Sequence, residues 1–173
     1  LQASIPEAYG GFGDRSAVTG VLAAEELGYG DLTAGLAVMA PASYAIPILV
    51  AGTEEQKKSL LPPVVGGDWK PYVCAFVEPS LDFSPPEMRT TAVRKNGSYV
   101  LNGVKTMVPH AREAAGLVVY AALDGKTQAF VVPPKAAGLK VGEREAWCGL
   151  NALPTYRLTL ENVSVPAEAR LGG

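Results

Sequence analysis

The apolar positions change their period part-way along the chain. Over Ser16 to Gly28, residues Val18, Val21, Leu22, Ala24 and Leu27 recur at spacings near three and four, with Glu25 and Glu26 on the wet side. That period describes an amphipathic helix. Asp14 or Ser16 is placed to cap it, and Gly28 or Gly30 to end it. The uncharged stretch Leu32 to Gly52 predicts further helix, broken near Pro41 and Pro47. Thr53-Glu54-Glu55-Gln56 then has the form of a capping box, in which the hydroxyl takes an orphan amide and the glutamine reaches back. The short helix it opens stops before Pro62-Pro63.

Beyond Gly66-Gly67 the period falls to two. Alternating runs predict strands at Tyr72 to Val77, Thr90 to Lys95, Tyr99 to Asn102, Leu117 to Leu123, Thr127 to Val132 and Tyr156 to Glu161. Asn96-Gly97 and Asp124-Gly125 supply the positive φ angles of two-residue hairpins, and Asn102-Gly103 predicts a further tight turn or bulge. Short strands with no helices between them imply an antiparallel barrel or sandwich. The expected fold class is α+β: an N-terminal helical segment, residues 1–67, followed by an antiparallel β-barrel or sandwich domain, residues 68–173.

Composition narrows the function classes. With 48% hydrophobic and 18% charged residues among 173, the chain lies outside disordered compositions and can bury a core. Its formal charge of -2 offers no basic run to release counterions from a phosphate backbone, so nucleic acid is not an expected partner. The uncharged Leu32 to Gly52 has the length of a membrane span, but its Ala, Gly, Ser and Thr content and its two prolines favour a core helix pair. No membrane partner is expected. Cys74 and Cys148 are isolated and His110 is the one histidine, which points away from zinc and disulfides and toward free thiols in a reducing, cytoplasmic setting. Leu1-Gln2-Ala3-Ser4 carries no methionine and no signal core, as expected of a trimmed piece. The sequons at Asn96 and Asn162 are read as chance triplets.

Candidate chemistry is sparse. Gly11-Phe12-Gly13-Asp14-Arg15-Ser16 approximates a dinucleotide-binding loop, yet no strand precedes it and serine stands in place of the last glycine, so it reads as a turn feeding a helix. Glu78, Asp82 and Glu87 lie in or beside a proline-rich segment and read as solvated charges rather than an acid-base pair. His110, following a proline, reads as a surface or hydrogen-bonded residue. No nucleophile elbow is present.

Four segments together resemble the acyl-CoA dehydrogenase family: Ile5-Pro6-Glu7-Ala8-Tyr9-Gly10-Gly11, Gly52-Thr53-Glu54-Glu55-Gln56-Lys57, Tyr99-Val100-Leu101-Asn102-Gly103-Val104-Lys105, and Leu160-Glu161-Asn162-Val163-Ser164-Val165-Pro166. Their order and separations match along essentially the whole chain. The resemblance implies the end of a helical amino-terminal domain and a β-barrel-like middle domain, without the carboxy-terminal helical domain of the family. It further implies FAD held between middle domain and carboxy-terminal helices, an acyl-CoA substrate, and assembly as a homo- or hetero-oligomer. The base that removes the α-proton belongs to the carboxy-terminal domain, so no catalytic residue is assigned and the chain alone is expected to be inactive.

The sequence departs from the family where the flavin is expected. A strand end that usually carries a hydroxyl residue before Glu-Pro reads Phe76-Val77-Glu78-Pro79, and the loop that usually contains Gly-Ser-Asp reads Ser80-Leu81-Asp82-Phe83-Ser84-Pro85-Pro86, with Phe83 in the serine's place. Lys105-Thr106-Met107-Val108-Pro109 puts Met107 where an aromatic is usual and Pro109 where threonine meets the flavin ring. Gly149-Leu150-Asn151-Ala152-Leu153 likewise replaces a Gly-x-Arg-x-Ser pattern. Valine and proline donate no side-chain hydrogen bond, and phenylalanine adds bulk where backbone approaches phosphate. The resemblance thus implies cofactor-binding positions at Cys74, Phe76, Val77, Phe83, Met107 and Pro109, and substrate-binding positions at Phe83 and Ser84. Two functions are expected from these features. One is a piece of an FAD-dependent dehydrogenase, its flavin held mainly by backbone at Cys74, Phe76 and Val77. The other is a flavin-free member serving as a structural partner or CoA-binding module.

Overall fold

The computed structural model describes residues 1–13 and 16–173; the proposed cap Asp14 lies outside them. Helix α1 is Ala17–Ala51, with Ser16 as its N-cap accepting from the Thr19 amide at 3.2 Å. Its break is at Asp31, where φ is -158° and ψ is 109°, and not at the prolines. The Asp31 carboxylate accepts from the amides of Thr33 at 2.8 Å and Ala34 at 3.0 Å, so this residue ends one arm and caps the next. The arms are residues 17–30 and 32–51. Across the break, a Cβ on Gly35 would stand 3.3 Å from that of Leu27, so glycine lets the arms approach closely. Pro41 and Pro47 stay within the second arm, which buries Ala40, Pro41, Tyr44, Ala45 and Ile48. Packing of that face offsets the lost amide bonds. Among the described residues α1 is the one helix long and apolar enough to cross a membrane by length and composition, a test that core helices also pass.

Helix α2, Glu54–Leu60, opens on the predicted capping box, with Thr53 Oγ1 accepting from the Gln56 amide at 3.3 Å and Gln56 Oε1 from the Thr53 amide at 2.9 Å. Gln56 also reaches across the molecule, donating to the carbonyls of Glu168 and Arg170, both at 2.8 Å, and accepting from the Gly172 amide at 3.2 Å. A short α3, Pro62–Val65, completes the helical part.

Seven strands follow: β1 Tyr72–Ala75, β2 Thr91–Lys95, β3 Ser98–Pro109, β4 Gly116–Leu123, β5 Lys126–Val132, β6 Leu139–Arg144 and β7 Thr155–Pro166. The Asn96-Gly97 and Asp124-Gly125 turns join β2 to β3 and β4 to β5 with positive φ throughout, as their residues require. Most pairs are antiparallel, but β1 pairs β4 in parallel from Tyr72↔Gly116 to Ala75↔Val119, and β2 touches β4 in parallel at Thr91↔Ala122. The sheet is therefore mixed and not antiparallel throughout, because the β2–β3 hairpin intervenes before β4 returns beside β1. Strand β3 runs well past its expected end. Bulges at Leu101/Gly103 and Lys105/Val108 let it bend while keeping β7 as its partner. The Phe130↔Arg170 bridge and a 2.9 Å bond from the Leu171 amide to the Ala129 carbonyl cover the free side of β5. The result is a curled half-barrel.

Strand β4 is buried on both faces. Leu117, Val119 and Ala121 join Val73, Leu101, Phe130 and Leu158 inside the curl, whereas Val118 faces Tyr44, Ile48 and Leu61 of the helical layer. Each fully buried Val or Leu contributes about 1.5–3 kcal/mol. This strand thus ties the helices to the sheet.

Candidate functional site

Strand alternation sends Val73 and Ala75 into the half-barrel, leaving Cys74 and Phe76 on the opposite face. There the second arm of α1, the ends of β1 and β3, and the β6–β7 connection enclose an open cleft of about 870 Å³. It brings together Cys74, Phe76, Met107 and Pro109, four of the residues singled out in the sequence. Val77, Phe83 and Ser84 stand outside its wall. The Val77 carbonyl accepts from the Thr106 amide at 3.0 Å. The Phe83 ring meets Phe76 edge-on, with centroids 5.4 Å apart, and Phe76 meets Tyr120 likewise at 5.1 Å. These edge-on contacts hold Phe76 at the cleft.

Met107 takes its place by a backbone device. Its φ is 57°, in the left-handed region, within the second bulge of β3. Glu145 secures that bulge: one carboxylate oxygen accepts from the Met107 amide at 2.9 Å and the other from the Thr106 hydroxyl. Pro109 pairs with Thr155 of β7.

Behind the cleft lies a sealed ion pair. Lys105 Nζ is 3.0 Å from Glu78 Oε1, with the two side chains 0% and 4% exposed, and it also donates to the Phe76 carbonyl at 3.1 Å. Glu78 accepts from the amides of Arg89 and Thr90, each at 2.8 Å. Burial pushes the carboxyl up, but the bonds from Thr90, Arg89 and Lys105 outweigh it and bring the pKa to about 2. Burial pulls Lys105 below its ordinary value, with Glu78 opposing. Glu78 is thus no solvated loop charge; its partner stands 27 positions on, beyond the reach of local spacing. Asp82 and Glu87 are exposed, as expected, with Asp82 paired to Arg89 at 3.3 Å. Burial pushes the Cys74 thiol up to about 12, with Lys105 opposing.

Two cleft aromatics were missed in the sequence. Tyr120 lies in an alternating strand and reads as core. Trp147 sits in the β6–β7 connection, 42% exposed, with its indole N–H donating to Thr155 Oγ1 at 2.8 Å. An isolated tryptophan amid small and polar residues between strands was the available signal. His110 has φ 50°, lies edge-on to Trp69 at 5.5 Å, and keeps Nε2 buried without a partner among the described residues. Its backbone amide donates to Pro154.

The cleft has the volume and aromatic walls to take a planar tricyclic ring such as isoalloxazine. Of its side-chain hydroxyls, Ser43 donates to the Ala40 carbonyl at 2.6 Å and Thr155 accepts from Trp147 at 2.8 Å, and Tyr120 brings a third. The volume and the aromatic lining fit such a ring. No cluster of His, Cys, Asp or Glu among the described residues has the form of a metal site.

Comparison with known proteins identifies the sequence and the fold. The family model for the acyl-CoA dehydrogenase N-terminal domain matches residues 1–68, and that for the middle domain matches residues 74–163. An acyl-CoA dehydrogenase of Bacillus subtilis is 34% identical over 97% of this chain and 45% of its own length. The mitochondrial short-chain specific acyl-CoA dehydrogenase of Homo sapiens is 33% identical over 99% of this chain and 43% of its own. Among solved structures, butyryl-CoA dehydrogenase from Megasphaera elsdenii superposes with a TM-score of 0.86 at 31% identity, over 99% of this chain and 47% of that one. A glutaryl-CoA dehydrogenase from Mycobacterium smegmatis in complex with FADH2 gives 0.85 at 31% identity, over 98% and 44%. The chain spans less than half the length of these relatives. With both family models matched in order and the mixed half-barrel shared, the chain belongs to the acyl-CoA dehydrogenase family.

Proposed function

We propose that this chain forms one wall of the flavin and acyl-CoA cleft of an FAD-dependent acyl-CoA dehydrogenase. The observation that carries the reading is the convergence of Cys74 of β1, Phe76 just after it, and Met107 and Pro109 of β3 on one open apolar cleft. Bound flavin would supply the acceptor for the hydride lost in α,β-dehydrogenation of an acyl-CoA thioester. The residues of this chain position and shield. Phe76 and Tyr120 present fixed aromatic surface, Glu145 sets the bulge that carries Met107, and Lys105 with Glu78 fixes the β1 end by gripping the Phe76 carbonyl. The apolar wall excludes water from the reacting carbons. The proton-abstracting base is assigned to the carboxy-terminal helical domain that the family adds after the middle domain.

The polar anchorage of the flavin is reduced here. Val77 and Pro109 carry no side-chain donor, and Phe83 fills the loop beside Phe76. Loss of two or three hydrogen bonds, at about 0.5–1.5 kcal/mol each, weakens FAD binding by one to several powers of ten. The loop bearing Phe83 and Ser84 remains the proposed contact for the CoA portion, and a homo- or hetero-oligomer the proposed assembly. The isolated spacing of Cys74 and Cys148 along the sequence is the basis for proposing a reducing, cytoplasmic location.

The test uses the chain joined to its carboxy-terminal helical domain. FAD titration and reduction of bound flavin by acyl-CoA thioesters of graded length should show weak FAD binding with thioester-dependent reduction. Stoichiometric, tightly held FAD would reject the reduced anchorage. Absence of flavin binding would reject the enzyme reading and leave the flavin-free partner subunit.

A further inference from the structure

We infer that Trp147 is the aromatic platform of the cleft, restoring through stacking part of the hold on the flavin ring that the side chains of β3 no longer give. The inference rests on the flavin reading above and assigns a role within that site. Two features of β3 leave a gap: Met107 offers a thioether and Pro109 an imino acid, neither of which presents a planar π-surface. Trp147 reaches the same place from another element. Its indole N–H is fixed on Thr155 Oγ1 at 2.8 Å, and Thr155 is the register partner of Pro109, so the indole is tethered to the residue that pairs with Pro109. The polar edge is satisfied by that bond, while the residue remains 42% exposed and lines the cleft.

A tryptophan held by its only donor, partly open, and facing a concave apolar site is suited to stacking on a planar ring. Phe76 is less available for this role, since Phe83 and Tyr120 both meet it edge-on. Trp69 provides an internal contrast: it stands outside the cleft against His110. The ligand class is therefore a flat heteroaromatic ring, and the contact is made to the isoalloxazine and not to the pyrophosphate.

The experiment compares wild type, Trp147→Leu, Trp147→Phe, Thr155→Val and Trp69→Phe, each joined to the carboxy-terminal helical domain and checked for folding by circular dichroism. FAD and riboflavin serve as separate probes, because riboflavin retains the ring and lacks the pyrophosphate. Trp147→Leu is expected to weaken both probes about tenfold, Trp147→Phe and Thr155→Val less, and Trp69→Phe not at all. Emission of bound flavin should rise in Trp147→Leu as the quenching indole is removed. Wild type that binds either flavin while Trp147→Leu matches it in affinity and emission overturns the inference and leaves the flavin reading standing. Wild type that binds neither probe rejects the flavin reading and the inference with it. If Trp147→Leu does not fold, Thr155→Val decides, since it frees the indole while keeping the side-chain volume; unchanged affinity and emission there overturn the inference.

Discussion

Lys105 and Glu78 form a 3.0 Å ion pair sealed from solvent, and the lysine spends a further bond on the Phe76 carbonyl. Removing one partner leaves a buried charge with no counterpart. Lys105→Met is expected to destabilise the fold by about 3–5 kcal/mol, and combining it with Glu78→Gln should recover part of that loss. Urea unfolding of the single and double variants measures both. Equal losses in the single and double variants would show that the charge pairing itself is of no consequence.

The same pair sets an acid limit. The Glu78 carboxyl titrates at about 2 in the fold against an ordinary 4.5, so its folded-state pKa is depressed. The stability it contributes is fully present above about pH 4.5 and is lost as pH falls toward about 2. Glu78→Gln should flatten the acid limb of a stability-versus-pH curve in that window. A curve parallel to wild type would refute the assignment.

The two thiols should separate in reactivity. Cys74 is partly buried with its pKa pushed up to about 12, so little thiolate exists at pH 8, whereas Cys148 is exposed in the cleft wall. Iodoacetamide followed by peptide mass analysis should modify Cys148 first. Flavin should slow that reaction. Faster labelling of Cys74 would contradict the structure.

Gly103 has φ of 150°, and a Cβ there would stand 2.6 Å from Thr90 Cα. Gly103→Ala must move backbone at a bulge of β3, with an expected cost of about 1–3 kcal/mol. Thermal denaturation reads it directly. A neutral substitution would mean that the contact between Gly103 and Thr90 is looser than described.

The first arm of α1 leaves Val18, Val21 and Tyr29 exposed by 70%, 65% and 93%. Light scattering of the chain alone should show self-association, and Val18→Glu with Val21→Lys should reduce it. A clean wild-type monomer at high concentration would count against this expectation.

The sequence disclosed what short-range chemistry controls. The change of period near Gly66, the Asn96-Gly97 and Asp124-Gly125 turns, the Asn102-Gly103 bulge and the Thr53/Gln56 box depend on neighbours a few residues apart, and all are present. What depended on distant partners was hidden. Lys105 finds Glu78 only after β3 folds beside β1, and β1 pairs β4 in parallel across an intervening hairpin. The end of the first arm of α1 at Gly30 was legible, with Asp31 capping the next arm, whereas the further break expected near Pro41 and Pro47 does not occur, because proline was weighed by propensity alone. The cleft was half legible: motif comparison supplied Cys74, Phe76, Met107 and Pro109, while Trp147 matched no motif and owes its place to Thr155.

The long reach of Gln56 makes the anchorage of α2 depend on residues 168–172. Its partners at Glu168, Arg170 and Gly172 lie more than a hundred positions downstream, and Arg170 and Leu171 also cover the open side of β5. Until residues 168–172 leave the ribosome, β5 presents an unpaired edge and α2 lacks its anchor. A nascent chain paused before that point is expected to carry an open strand edge, a template for pairing with its neighbours.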